Sequence, residues 1–222
     1  MHSVIEQVDR PDQETVAAFE GIPSAIISDV SAGSGVTMDS GISPIATGSE
    51  IAAPAVTISA APGDNLVIHK AITMADPGDV LVVDGNGYTE TAFIGELMCA
   101  SCLAHDLAGI VVDGAVRDRA ELADMPFPVF ARGVHPAGPG KHAPGSINIP
   151  VTCGGVTVSP GDIIVGDEDG IAVVPAQNAA ATLERARQKD AREDELRERV
   201  DAGEYLYDIG GYDDKFDALE LE

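Results

Sequence analysis

The run Asp79-Val80-Leu81-Val82-Val83-Asp84, the stretch from Phe93 to Ala108 and the run Gly109-Ile110-Val111-Val112-Asp113 decide the fold. The first and third are short and apolar, the mark of strands buried on both faces, and the stretch from Phe93 to Ala108 reads as one helix. Strand, helix and strand in that order make a right-handed crossover between parallel neighbours. The loops at 84–96 and 113–118 then leave the same, carboxyl, edge of the sheet. Those loops carry Gly95-Glu96-Leu97-Met98 and Val116-Arg117-Asp118, an acid, an arginine and a second acid spaced Glu96-x20-Arg117-Asp118. Residues far apart along the chain are thus expected to meet in one crevice.

Working outward, Phe19-Glu20-Gly21-Ile22-Pro23-Ser24 reads as a helix stop and restart, with a short helix from Ser24 to Ala32 ending near Gly33. Glu50 to Ala60 alternates and reads as a strand, with Pro54 favouring a sheet edge or a bulge. Pro-Gly-Asp occurs at 62–64, 77–79 and 160–162. Proline presets a turn and glycine takes φ > 0, so at 77 and 160 the tripeptide launches a strand, and at 62 it precedes a helix from Asn65 to Met74. Asp84-Gly85-Asn86-Gly87-Tyr88 lacks the lysine of a phosphate loop and the third glycine of a dinucleotide fingerprint, and reads as a flexible wall of the crevice. Gly133 to Gly155 reads as a glycine- and proline-rich loop, with His135 and His142 as surface histidines. Close-set strands at 155–158, 162–166 and 170–175 imply an antiparallel layer beside the parallel one. From Gln177 to about Ala202 the chain reads as a long charged helix, stopped at Gly203 and followed by an apolar hook, Tyr205-Leu206-Tyr207-Asp208-Ile209. A charged helix with such a hook is expected to reach a neighbouring subunit.

The 222 residues suffice for one core, so residues 1–222 are expected to form a single α/β domain. There is neither a basic-flanked apolar leader nor an apolar stretch of about 18 residues, so no membrane association and a cytoplasmic location are expected. Cys99, Cys102 and Cys153 are an odd set without an export signal. Cys99-x-x-Cys102 reads as two small side chains on the packed face of a helix. With 37 acids against 13 bases the net charge is −24, so no nucleic-acid partner is expected. Residues 190–222 hold 13 of those acids and four of those bases, so the acidity also covers the rest of the chain. Surface acidity with only four lysines resembles that of proteins from salt-in halophiles, in which salt screens self-repulsion.

An arginine immediately before an aspartate on a strand-end loop can hold a substrate carboxylate with its fork while the aspartate binds a hard cation. Glu96 falls in the first turn of a helix, where the amides of Leu97 and Met98 can face an anion.

These motifs, with Ile27-Ser28-Asp29, Gly63-Asp64-Asn65, Val112-Asp113-Gly114-Ala115-Val116-Arg117-Asp118, Gly154-Gly155-Val156-Thr157-Val158 and Asp167-Glu168-Asp169-Gly170, carry a family resemblance over residues 20 to 215. The chain resembles the family of the regulator of ribonuclease activity A and the 4-hydroxy-4-methyl-2-oxoglutarate / 4-carboxy-4-hydroxy-2-oxoadipate aldolases, which are metal-dependent (class II) pyruvate aldolases. The resemblance implies a layered, mixed-sheet α/β fold of the swivelling β/β/α type with a long C-terminal helix, assembled as homotrimers or homohexamers with sites between subunits. It implies that Asp118 ligates Mg²⁺ or Mn²⁺ and that Arg117 holds the pyruvyl carboxylate of a small 2-oxo acid, shared with the Leu97 and Met98 amides. Glu96 would touch the metal through water, and Glu193 is the candidate for an acid supplied by the neighbouring subunit's helix. The implied reaction cleaves a 4-hydroxy-2-oxo acid to pyruvate and a carbonyl compound, with oxaloacetate decarboxylation as a side activity. The alternative is a non-catalytic regulator that docks on a ribonuclease or helicase. Asp118 favours catalysis, because the regulator is expected to lack the metal aspartate. The sequence departs from many of the enzymes in having Glu rather than Asp at 96.

Overall fold

The computed structural model describes residues 2–31 and 36–219. Helices α1 (Gln13–Ala17) and α2 (Ser24–Val30) precede strands β1 (Ser43–Pro44) and β2 (Ile51–Ser59). Then α3 (Leu66–Ile72) leads to β3 (Val80–Ile94), α4 (Glu96–Leu103) to β4 (Gly109–Val116), and α5 (Arg119–Asp124) to β5 (Val129–Val134). Short strands β6 (Ser146–Ile147), β7 (Val151–Cys153) and β8 (Val156–Val158) come before the hairpin β9 (Ile163–Asp167) and β10 (Gly170–Val174). The chain ends in α6 (Ala179–Asp201), α7 (Leu206–Gly210) and α8 (Asp213–Asp217). The expected end of the second helix, Ala32 and Gly33, lies outside the described residues.

The main sheet runs β1-β5-β4-β3-β2-β9-β10, parallel from β5 to β2 and antiparallel at both flanks, with β6 beside β2. It curls until it is nearly closed, with Thr37 bridging Ala172 of β10. Alternate residues divide the interior, since successive side chains on a strand face opposite ways. Leu81 and Val83 join Val67, Ile68, Met98 and Cys99 in the core under α3 and α4, whereas Val80 and Val82 face Phe130, Val151, Val156 and Ile171 inside the curl. A third cluster packs α2 and α6 on the outer side of β9 and β10 through Ile26, Ile27, Ile163, Val165, Ala179 and Ala186. The resulting layered, mixed-sheet α/β domain with a long C-terminal helix is the expected fold.

The three Pro-Gly-Asp turns behave as expected, with Gly63, Gly78 and Gly161 at φ of +74°, +89° and +84°. In two of them the aspartate closes the turn on an amide three residues back, Asp79 on Asp76 and Asp162 on Ser159. All three cysteines are free and buried. Burial pushes the Cys102 thiol up to about 12, and raises Cys99 and Cys153 further.

Four local expectations are corrected. Pro54 lies in a central strand, not at an edge. It stands where β2 changes partners, as the last residue paired with β9 (through 51–54) before β2 pairs β3 (through 55–59), the end of a ladder rather than its middle. The helix begins at Glu96, not Phe93, because Phe93 and Ile94 are buried strand residues, Ile94 paired with Val116. It ends at Leu103, and Asp106 turns the chain with φ of +57°. The glycine segment after Asp84 is ladder rather than loop: the ten steps from Asp84 to Ile94 face only three from Asp113 to Val116, so β3 bulges strongly. The Phe93 ring fills the space where Gly85 and Gly114 lack side chains, and a Cβ on either would overlap it. Finally, the stretch from Gly133 to Gly155 is not all loop, since it contains β6 and β7.

Candidate active site

The parallel pairing of β3 and β4 brings the two motif halves to one sheet edge. The Arg117 amide donates to the Ile94 carbonyl at 3.0 Å, which fixes the β4 exit beside the β3 exit. Asp118 then adopts φ 60°, ψ 43°, a left-handed conformation that Asp and Asn tolerate better than other non-glycine residues. That conformation turns its carboxylate back onto the start of α4, where Oδ2 accepts the Glu96 amide at 3.0 Å. Asp118 thus satisfies one of the open donors of a helix on the neighbouring crossover. Arg117 Nε lies 3.6 Å from the same oxygen, and both side chains are about two-fifths exposed.

Around this pair is a cleft of about 510 Å³, lined by the β3–α4 turn, the β4–α5 turn, the face of α3 that carries Asn65 and His69, and the loop with Pro139 and Lys141. Glu96, Leu97, Met98, Arg117 and Asp118 all line it, so five of the six candidate residues come together. The sixth, Glu193, does not reach the cleft of its own chain. It pairs with Lys189, which also binds Asp29 of α2, each at 2.9 Å. The two amides differ: Met98 N–H donates to the Gly95 carbonyl at 3.2 Å, whereas Leu97 N–H has no acceptor among the described residues. Gly95 is required by proximity rather than by its φ of −150°, since a Cβ there would press on Asp118 Oδ2 and lie 2.9 Å from Arg117 Cγ.

Four polar lining residues were not among the candidates: Asn65, His69, Glu121 and Lys141. Asn65 is 3 % exposed; its amide donates to the Phe93 carbonyl at 2.9 Å and its Oδ1 has no partner. The loop carrying Lys141 is held by Asp64, whose Oδ2 accepts the His142 and Ala143 amides while Oδ1 accepts that of Leu66. Burial pushes the Asp64 carboxyl up, but the three amides outweigh it and hold the group below the ordinary carboxylate range. A depressed folded-state pKa stabilises above the unfolded value of about 3.9 and ceases to do so as pH falls through the folded value. Asp64→Ala is therefore expected to cost about 2 kcal/mol at pH 7, from stranded amides, and distinctly less at pH 3. Urea unfolding of both proteins at the two pH values measures this, and an equal gap at both would contradict it.

No group of three or more His, Cys, Asp or Glu side chains that could hold a metal occurs among the described residues. The cleft therefore does not fit an ion that needs a full set of protein donors, such as structural zinc. It does fit Mg²⁺ or Mn²⁺, hard ions held by one or two carboxylates with water and substrate completing the shell. Asp118, Glu96 and Glu121 are the carboxylates that line the cleft, and the buried Asn65 Oδ1 stands without a partner behind its wall.

The family model described as RraA-like, Aldolase/RraA, matches residues 24–173. A Halalkalibacterium halodurans protein named "Putative 4-hydroxy-4-methyl-2-oxoglutarate aldolase" is 40% identical over 185 residues, 83% of this chain and 87% of its own length. Among solved structures, an uncharacterized protein from Pseudomonas syringae pv. tomato superposes with a TM-score of 0.81 at 26% identity, covering 90% of this chain and 98% of that one. Streptomyces coelicolor RraAS2, described as an unusual member of the RNase ES inhibitor RraA family, superposes at 0.78 with 28% identity, over 86% of this chain and 99% of its own.

Proposed function

The chain belongs to the RraA-like family, and from that premise we propose that it is a divalent-metal-dependent lyase that cleaves a 4-hydroxy-2-oxo acid to pyruvate and a carbonyl compound. The observation that carries this reading is the convergence of Asp118, Arg117 and the start of α4 in one cleft, with Asp118 Oδ2 shared between the Glu96 amide and the Arg117 guanidinium. Arg117 binds the pyruvyl carboxylate with its fork, and the open Leu97 amide donates to the same group. Asp118 would hold Mg²⁺ or Mn²⁺, which when bound would supply Lewis-acid polarisation of the 2-oxo group. As the carbon–carbon bond breaks, negative charge grows on the 2-oxo oxygen of the pyruvyl half, next to the carboxylate that the Arg117 fork and the Leu97 amide hold in place. The 4-hydroxyl proton leaves through a water coupled to Glu96 or Glu193 as that carbon becomes the released carbonyl, and a proton from water returns to C3 of the pyruvyl half to give pyruvate. Lys141 is exposed at the rim rather than sunk in an apolar pocket, which argues against a Schiff-base route.

The test is pyruvate release from oxaloacetate and from a panel of 4-hydroxy-2-oxo acids, with and without Mg²⁺ or Mn²⁺. Metal-dependent release supports the lyase. Absence of turnover with every substrate would transfer the assignment to a non-catalytic, RraA-type regulator.

The chain is further proposed to work as a trimer or a pair of trimers in which Glu193 enters a neighbour's site. Supporting this are the exposed apolar groups of the tail, with Tyr205, Leu206 and Phe216 exposed by 75%, 58% and 52%, and the distance in sequence and structure between Glu193 and its own cleft. Mixed oligomers of Asp118→Asn and Glu193→Gln chains should regain up to about a quarter of wild-type turnover, because only one ordered interface in four joins two intact halves. No recovery in verified mixed oligomers, with Glu193→Gln alone fully active, would remove Glu193 from the site.

A further inference from the structure

The C-terminal segment leaves six large apolar side chains exposed within fifteen residues: Tyr205, Leu206, Tyr207, Tyr212, Phe216 and Leu219. Three of them form one surface, since the Tyr207 ring meets those of Tyr212 and Phe216 edge-on, with centroids 6.0 and 6.3 Å apart. The segment is folded into α7 and α8, yet neither helix buries a residue. A folded apolar patch of this kind marks a contact surface. No surface of its own domain covers it. After Ala186 no residue of α6 is buried, and the last ion pair from α6 to the body joins Lys189 to Asp29. The twelve residues from there to Asp201 carry the chain about 18 Å further along the helix axis, so α7 and α8 stand clear of the body.

A groove of about 450 Å³ between the N-terminal arm and α3 is lined by Val4, Leu66, Pro144 and Ile147 together with His69 and Lys70. Val4 and Leu66 are exposed there, which is costly for an apolar wall unless something covers it. The walls are fixed. The arm lies on β6 as an added strand, with Ile5 N–H donating to the Ile147 carbonyl at 3.2 Å, Ile147 N–H to the Ser3 carbonyl at 2.9 Å and the Asn148 amide to the Ile5 carbonyl at 2.8 Å. On the other side, Asp64 ties the start of α3 to residues 142 and 143. Charge complements the shape. Lys70 lines the groove and Lys141 precedes its Ala143 and Pro144 by two and three residues, so half of the chain's four lysines lie here. Neither takes part in an ion pair among the described residues. Residues 204–219 hold five acids and one base. An apolar groove with basic neighbours, on a molecule of net charge −24, suits an apolar and acidic segment.

We propose that residues 205–219 of one protomer seat in this groove on a second copy of the chain. Such a contact joins two different surfaces, so it is heterologous and repeats head to tail until the ring closes, as a trimer requires. The groove shares His69 with the reaction cleft, so a tail seated there brings the α6 that carries it to the mouth of the neighbour's cleft. This contact rests on the assembly proposed above and gives its tail a receiving surface, and it is independent of the reaction.

The experiment is photo-cross-linking of the full chain with p-benzoylphenylalanine at position 216, in oligomers mixed from ¹⁴N- and ¹⁵N-labelled protein. Cross-linked peptides should join one label to the other and should contain residues 66–70 or 143–147. In parallel, sedimentation should show that Leu66→Asp and Leu206→Asp each weaken assembly by about thirtyfold or more, since each places a carboxylate in an apolar contact. The two together should lose little more than either alone, because they break the same contact. Both positions are exposed in the protomer, and aspartate suits the first turn of α3, so melting temperatures should stay within a few degrees of wild type. Lys70→Gln should weaken assembly about threefold in dilute buffer and not measurably in molar KCl. An equal loss in both overturns the charge pairing. Cross-links confined to one label place the tail on its own chain, and cross-links to another region of the neighbour place it elsewhere; either result, or fully additive losses in the double variant, overturns the contact while leaving the assembly intact. A wild type that stays monomeric overturns the assembly and the contact together.

Discussion

Asp118→Asn is expected to lower kcat/KM for metal-dependent pyruvate release by about a thousandfold, equivalent to about 4 kcal/mol of transition-state stabilisation. The substitution keeps volume nearly constant and removes only the anionic character that a hard cation requires. It also suits the backbone. Position 118 has φ of 60°, a conformation open to asparagine, and the amide oxygen can still accept the Glu96 N–H. The melting temperature should accordingly stay within a few degrees of wild type, as read by circular dichroism. Activity retained at the wild-type metal requirement would refute Asp118 as the ligand.

Gly95→Ala is expected to reduce kcat/KM by about a hundredfold, although Gly95 itself contacts nothing that reacts. The added methyl would overlap Asp118 Oδ2 and stand 2.9 and 3.0 Å from Arg117 Cγ and Nε, so both side chains must move. At φ of −150° alanine meets no backbone strain, which separates this position from turn glycines. The diagnostic pattern is lost turnover with unchanged thermal stability. Wild-type kinetics in this variant would mean that the Arg117–Asp118 arrangement tolerates displacement and is not the reacting geometry.

Much of the scaffold was legible because its signals are local. Runs such as Val80–Val83 and Ile110–Val112 have few alternatives to buried strands, and Pro-Gly-Asp specifies its turn through two backbone constraints and one side-chain acceptor. The parallel crossover then predicted that residues 96 and 117–118 would meet, and they do. What escaped depends on partners distant in sequence. The polar, glycine-rich half of β3 carries no alternation, because its glycines exist to make room for Phe93 and not to form a turn. Pro54 looked like an edge residue because a strand that changes neighbours midway leaves no mark in its own sequence. Asn65, His69 and Lys141 reach the cleft through the Asp64 clamp on residues 142 and 143, a contact 78 residues apart for His142, which no motif spacing encodes. The same limit applies to Glu193, whose proposed role depends on a second chain.

The three cysteines offer a use unrelated to catalysis. Cys99 and Cys102 lie on the packed face of α4, whereas Cys153 lies inside the curl of the sheet, so they sample two separate compartments of one molecule. Each is both shielded from reagents and held in its unreactive thiol form by burial. Alkylation therefore has to wait for each compartment to open. Peptide-resolved labelling rates would act as two internal clocks, which keep the same time if the layers come apart together and different times if the curled sheet opens before the helical face.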